Sequence, residues 1–378
     1  MTSQTEILTF AAGLLVFWLF VNLLHKALSL ERYGLKLSWV FIRYDSQGFK
    51  AFIEKASQWR PKAWRAFSNL SLGLGVGLMA FSIYFLSDNL VKFVKPGGVG
   101  SPVVPVLPGL TIQVHWLPYF VLAFLLAALT HEIAHGVVAR LEGVRVKSAG
   151  LFLAVVQPGG FVEPDDRSLE DSPTVSKMRI LSAGSSINLL TGLLVFLLLA
   201  VMFFGAPSGV VVMGVLEDGP LERAGVQRWD VIYAINGTQI RTTQDLGELM
   251  DNVTPGDRLV LSTSRGDLLM ASTSDPDDPD RAVIGITSSI PYFVSRLGLG
   301  FFWDTQVYTT LNWMFFLLVN LAIISMLPIP LFDGDRFLQY FLQKYGKGDQ
   351  MKMFFNAASL FLIVANMALS MTSGLFPF

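Results

Sequence analysis

The sequence predicts a polytopic α-helical membrane protein of about six transmembrane helices, with a small α/β domain inserted between the fourth and the fifth. Three observations predict it. The 378 residues are 52% hydrophobic and only 15% charged, where an average soluble domain carries about 25% charge. Six stretches match the ~20 mostly apolar residues that cross a bilayer: residues 7–29, 64–87, 116–140, 178–204, 307–330 and 353–374. After the fourth, the composition changes to short β-rich runs, "GVVVMGVL", "DVIYAI" and "DRLVLSTS", separated by turn signals such as "EDGP", "NGT" and "TPGD".

Each element has its own reason. The first stretch lacks a basic n-region and is longer than the apolar core of a cleaved leader, so it reads as a retained helix. Residues 31–65 carry eight basic residues against Glu31, Asp45 and Glu54, and such a loop is expected in the cytoplasm. Gly73, Gly75 and Gly77 follow no strand, so they predict close helix approach rather than a nucleotide loop. The Pro/Gly-rich residues 97–113 connect two helices on the outer side or cover the site from there. The third stretch runs inward and the fourth outward, which places the inserted domain outside. Residues 207–287 hold 13 acidic and six basic residues, every basic one an arginine. Residues 295–306 predict an interfacial helix leading into the fifth span. The expected organisation is an N-terminal membrane half over 1–206, an extracytoplasmic domain over 207–288 and a C-terminal membrane half over 289–378. The chain is expected in the cell membrane, with the lipid bilayer as its surroundings.

A net charge of −1 gives no field that favours nucleic acid. The absence of cysteine excludes disulfides, thiol catalysis and Cys-based metal sites.

The chemistry concentrates in "LTHEIAHGVV", residues 129–138. No charged side chain precedes it between Trp116 and Leu129, and an ionisable group at membrane depth costs roughly 2.5–3.5 kcal/mol on insertion scales. Residues i and i+4 share a helix face, so His131 and His135 can grip one ion while Glu132 reaches a water beside it. This is the HExxH spacing of zinc proteases. A catalytic zinc takes three protein ligands and keeps a fourth position open. With no cysteine, and with His25 and His115 near helix ends, a carboxylate is expected as the third. Asp333 in "LPIPLFDGDR" is best placed. Pro328 and Pro330 break the fifth span and Gly334 permits a tight turn; backbone freed at that depth needs protein or a wet cavity to receive it. Asp335 is the weaker candidate.

These residues resemble the site-2 proteases, intramembrane zinc metalloproteases, and in particular archaeal members with a PDZ domain. The resemblance covers nearly the whole chain. "HEIAHG" matches the family's first motif, "SAGSSINLL" its G-x-x-x-N helix with Gly184 and Asn188 in place, and "LPIPLFDGD" its P-x-P-x-x-D-G motif. "PGGFVEPDD", residues 158–166, is similar to the family's G-A-F-V-E stretch, and "VLEDGPLERAGVQRWDVIYAINGTQI" looks like a bacterial-type PDZ domain. The resemblance implies one Zn²⁺ per chain, held by His131, His135 and Asp333, with Glu132 activating water. It also implies a substrate that is itself a transmembrane segment, cut within or near the membrane; the charge-based topology places the site within the membrane toward the cytoplasmic side. One departure stands out. Many members carry Asn eight residues before the ligand Asp, where this chain has Ser325. That moves the expected oxyanion donor to Asn188, for which an interhelical hydrogen bond is the competing role.

Residues 151–163 read as an apolar hairpin whose edge, at Gly160, Phe161 and Val162, is expected to bind an unwound substrate by strand addition. The inserted domain is expected to act as a size filter, admitting transmembrane substrates already trimmed outside. The alternatives are a PDZ-bearing receptor or chaperone with a non-catalytic metal site, and a transporter built on broken helices. Glu132 argues against the first, because a closed structural site needs no base.

Overall fold

A computed structural model describes residues 4–106, 111–275, 278–344 and 348–372. The chain opens with α1 (Gln4–Leu28), β1 (Leu35–Ser38), β2 (Phe41–Asp45), α2 (Gln47–Gln58) and α3 (Pro61–Val94). It continues through α4 (Leu117–Leu141), β3 (Val146–Ala154), β4 (Gln157–Pro164), α5 (Asp166–Glu170) and α6 (Thr174–Met202). A strand-rich stretch follows: β5 (Gly209–Val215), α7 (Pro220–Arg223), β6 (Val231–Ile235), β7 (Thr238–Gln239), α8 (Thr243–Met250), β8 (Arg258–Thr263), β9 (Gly266–Ala271), β10 (Thr273–Ser274), β11 (Ala282–Val283) and β12 (Ile286–Tyr292). Three helices end the chain: α9 (Phe301–Ser325), α10 (Asp333–Lys344) and α11 (Asp349–Thr372).

Helices α1, α3, α4, α6, α9 and α11 are long and apolar enough to cross a membrane, and they correspond to the six predicted stretches. The fifth differs at both ends. Residues 301–306, expected in a separate interfacial helix, form the first turns of α9; Gly298 and Gly300 just before it take positive φ and keep helix from extending back. At its other end α9 stops at Ser325, because Pro328 has no N–H to continue the ladder.

Helices in lipid gain little from burying apolar surface against one another, so their seams rely on small and polar residues. Between α3 and α6 the buried Ser71 and Ser182 hydroxyls lie 3.3 Å apart, and Ser186 donates to Ser71 O at 3.3 Å. Of the three glycines on α3, Gly75 makes the close approach: a Cβ there would lie 2.6 Å from that of Ser182. Leu78, Met178, Leu181, Ala322, Met326 and Phe337 continue the seam into α9 and α10.

The basic loop 31–65 carries more structure than its composition suggested. Its β1 and β2 join the predicted hairpin in an antiparallel sheet of order β1-β2-β3-β4, and its α2 buries Ile53 against Val137, Val146 and Ala149. Both hairpin tips end on α1: Trp18 Nε1 donates to Val155 O at 3.0 Å, and Asn22 Nδ2 to Trp39 O at 3.0 Å. The segment 97–113 is tied down through Ser101 N to Asn89 of α3 and Val103 N to Ser370 of α11; its residues 107–110 lie outside the described residues.

By its contacts the chain divides into two units, 1–193 with 313–378, and 194–312. The second is built on a sheet of order β12-β5-β6-β8-β9. Its core includes Val210, Val212, Ile232, Ile235, Leu259 and Leu261, a water-driven burial of about 25 cal/mol per Å² of apolar surface. Thr242 and Asp245 form a capping box at the start of α8. Beside α8 and the edge strand β12 runs a groove of about 410 Å³, floored by Leu216, Leu246, Met250, Ile284 and Ile286.

Candidate metal centre

Three elements build the site. Helix α4 carries His131 and His135 one turn apart, with ring centroids 4.6 Å from each other. Helix α6 crosses beneath them at Gly184. A Cβ there would lie 2.7 Å from His131 Cδ2 and closer still to His135 Nε2, so only glycine lets the helix backbone this near. The third element is the break after α9. Leu331 takes φ +82°, and a Cβ on Gly334 would lie 2.5 Å from Leu327 O and nearer still to Met326 O. The chain thus folds tightly back on the end of α9 and opens α10 with Asp333.

The three candidate ligands converge. His131 Nε2 lies 3.0 Å and His135 Nε2 3.2 Å from Asp333 Oδ2, and the two nitrogens are 2.9 Å apart. Tetrahedral bonds of ~2.0–2.1 Å to zinc put neighbouring ligand atoms about 3.3 Å apart, so this triangle is nearly the right size. The donor set also suits zinc, with two imidazoles and one carboxylate. His135 is prepared as a ligand: its Nδ1 donates to Ile180 O at 2.7 Å, which leaves the Nε2 lone pair facing the other two groups. Among the described residues this is the one cluster of three His, Asp or Glu able to share an ion.

Glu132 stands beside the triangle. Its Oε2 accepts from Val162 N at 2.8 Å. Strand β4 has β3 on one side only, so this bond marks its open edge as the one turned toward α4. A Cβ on Gly160 would sit 3.6 Å from Glu132 Cγ, placing that residue against the carboxylate as well. Phe161 does not join them. Side chains alternate along a strand, and its ring lies under the Arg43 guanidinium at 3.9 Å. Glu163 anchors the strand, accepting from Lys147 at 2.7 Å, Ser148 at 2.7 Å and Arg43 at 3.1 Å. These donors hold its carboxyl down to about 2.

Asn188 is fully buried between α6 and α4. Its amide lies 2.9 Å from Thr130 Oγ1 and 3.5 Å from His131 Nδ1. Asp335 points away from the triangle, to Lys352 at 3.1 Å and Asn356 at 2.7 Å on α11. Ser325 closes α9, and Asn320 donates to Phe316 O of its own helix. Sequence reasoning passed over Thr130, Ile180 and the Arg43–Glu163 network. Thr130 directly precedes the HExxH motif, and that adjacency is the signal available for it; the others are joined only by folding.

Residues 119–367 match the profile of peptidase family M50. An uncharacterized protein of Methanocaldococcus jannaschii is 26% identical over 329 residues, covering 85% of this chain and 81% of its own. A candidate zinc metalloprotease of Clostridium perfringens is 24% identical over 278 residues, 60% of this chain and 82% of its own. A membrane-bound transcription factor site-2 protease homolog of Arabidopsis thaliana is 27% identical over 188 residues, 47% of this chain and 36% of its own.

Proposed function

This chain belongs to peptidase family M50, and from that premise we propose that it is an intramembrane zinc endopeptidase that cuts transmembrane segments of other membrane proteins. The observation that carries the reading is the convergence of His131, His135 and Asp333 on one position, with Glu132 beside it. One Zn²⁺ held there supplies a Lewis acid for the scissile carbonyl and lowers the pKa of water to about 7.

The chain's own residues do the rest. Before substrate pairs, Val162 N–H holds Glu132 Oε2; the carboxylate, once freed, takes a proton from the attacking water. Water oxygen joins the carbonyl carbon, the C–N bond breaks, and Glu132 returns its proton to the leaving amine. A helical substrate must first unwind, because its carbonyls are spent in its own hydrogen bonds. The open edge of β4, at Gly160 and Val162, is where the unwound segment would pair as an added strand. Substrate and Glu132 then compete for the Val162 N–H, so pairing frees the carboxylate as it brings in the bond to be cut.

We place the loop 31–65 in the cytoplasm and the inserted domain outside, and read that domain as a PDZ domain working as a size filter for substrates trimmed beforehand. Glu132→Gln tests the chemistry: the variant should keep zinc and lose about 10²–10⁴-fold in the rate of cleaving a transmembrane substrate. Cleavage at the wild-type rate would refute the assignment of the base.

A further inference from the structure

We infer that Thr130 and Asn188 form a relay that fixes the tautomer of His131, making Asn188 a positioning residue that acts through this ring. The inference rests on the zinc reading above.

A histidine can offer Nε2 to a metal only when its proton sits on Nδ1. His135 meets that condition through the backbone, by donating to Ile180 O. At His131 the neighbour of Nδ1 is the Asn188 amide, 3.5 Å away. The other end of that amide meets Thr130 Oγ1 at 2.9 Å, and Oγ1 also lies 2.9 Å from Leu126 O, one turn back on its own helix. One hydroxyl proton cannot serve both oxygens.

The two ends of a carboxamide are distinguished only by their partners, so two arrangements must be compared. The structure has the amide oxygen toward Thr130, whose Oγ1 donates to it, and the NH₂ toward His131 Nδ1. That nitrogen must then be an acceptor, the proton moves to Nε2, and the lone pair needed beside Asp333 is gone. In the other arrangement Thr130 gives its proton to Leu126 O and accepts from the Asn188 NH₂. The amide oxygen turns to His131 and accepts Nδ1–H, leaving Nε2 bare. Only this second arrangement lets every group in the chain act in the right sense while His131 ligates. Asn188 is fully buried, so bulk water cannot substitute for either partner. Thr130 is thus the residue that orients the amide, and the amide is the residue that orients the ligand.

The test measures zinc affinity of the full-length protein in detergent by chelator competition. Thr130→Val and Asn188→Leu should each weaken zinc binding by about 10–100-fold, the usual effect of losing a ligand's hydrogen-bond partner. Thr130→Ser keeps the hydroxyl and Asn188→Asp keeps the acceptor, so both should retain affinity. An oxyanion donor would instead need the N–H that Asp lacks and would leave zinc binding unchanged in every variant. Wild-type affinity in Thr130→Val and Asn188→Leu would overturn the relay. Retention of zinc by His131→Ala would overturn the ligand reading itself, so the two failures are distinguishable.

Discussion

Asp333 and Asp335 stand two residues apart on the first turn of α10, and their surroundings separate them. Asp333 meets both histidines, whereas Asp335 is paired with Lys352 and Asn356. An ionised carboxylate at membrane depth needs compensating partners; the imidazoles serve one, a lysine the other. Asp333→Asn should therefore weaken zinc binding by more than about 100-fold, beyond the range for residues that only support a ligand. Asp335→Asn should leave zinc bound and loosen α10 against α11 instead. Chelator competition and thermal unfolding of both variants check this. A reversed order would put the ligand at Asp335.

At the scale of elements, the open edge of β4 is the feature most in need of support. Unpaired strand edges exposed to lipid are not tolerated, and the hairpin tips of this sheet end on α1, a helix long and apolar enough to cross a membrane. This edge is turned to Glu132 and α4. Its register is held from the far side by Glu163, whose carboxyl is pushed down to about 2 by Lys147, Ser148 and Arg43. A depressed folded value stabilises the protein above the ordinary value of 4.5, and that contribution is lost as pH falls from 4.5 toward about 2. Glu163→Gln should remove this component. Its unfolding temperature should lie below wild type at neutral pH, and the gap should close as both are acidified through that window. A gap that stays constant would show that the charge on Glu163 does not hold the strand.

At the scale of the whole molecule, two solvents shape two kinds of core. The membrane helices meet through serines and close glycine contacts such as those of Gly75 and Gly184, while the inserted domain has an apolar core of the kind that water drives. That domain enters from α6 and leaves into α9, and Ser208 N donates to Tyr292 O at 2.8 Å where the chain enters and leaves. Residues 209–291 can therefore be replaced by a short Gly/Ser linker while Tyr292 keeps its 2.9 Å bond to the buried Asp304. Zinc binding and cleavage of trimmed substrates should survive, and substrates with intact outer domains should now be cut. Loss of cleavage of trimmed substrates with zinc retained would favour recruitment through the groove between α8 and β12. No change in either class would make the domain a spacer.

The sequence by itself determined the six spans, the inserted strand-rich domain, and the pairing of His131 with His135. These follow from local rules: apolar length, strand alternation with turn residues, and the i, i+4 spacing of one helix. The choice of Asp333 over Asp335 was half legible, since the proline break marked the place but not which carboxylate turned inward. Only the tertiary structure showed which of the two meets the histidines, because that depends on how Gly334 folds against Met326 and Leu327. It alone brought Gly184 beneath the two rings, joined β1 and β2 from a basic loop to the predicted hairpin, and turned Val162 toward Glu132 but Phe161 toward Arg43. The Thr130–Asn188–His131 contact is of the same kind. Its members lie 57 and 58 residues apart, and the directions of hydrogen bonds across such a distance are set by helix packing, which no local pattern encodes.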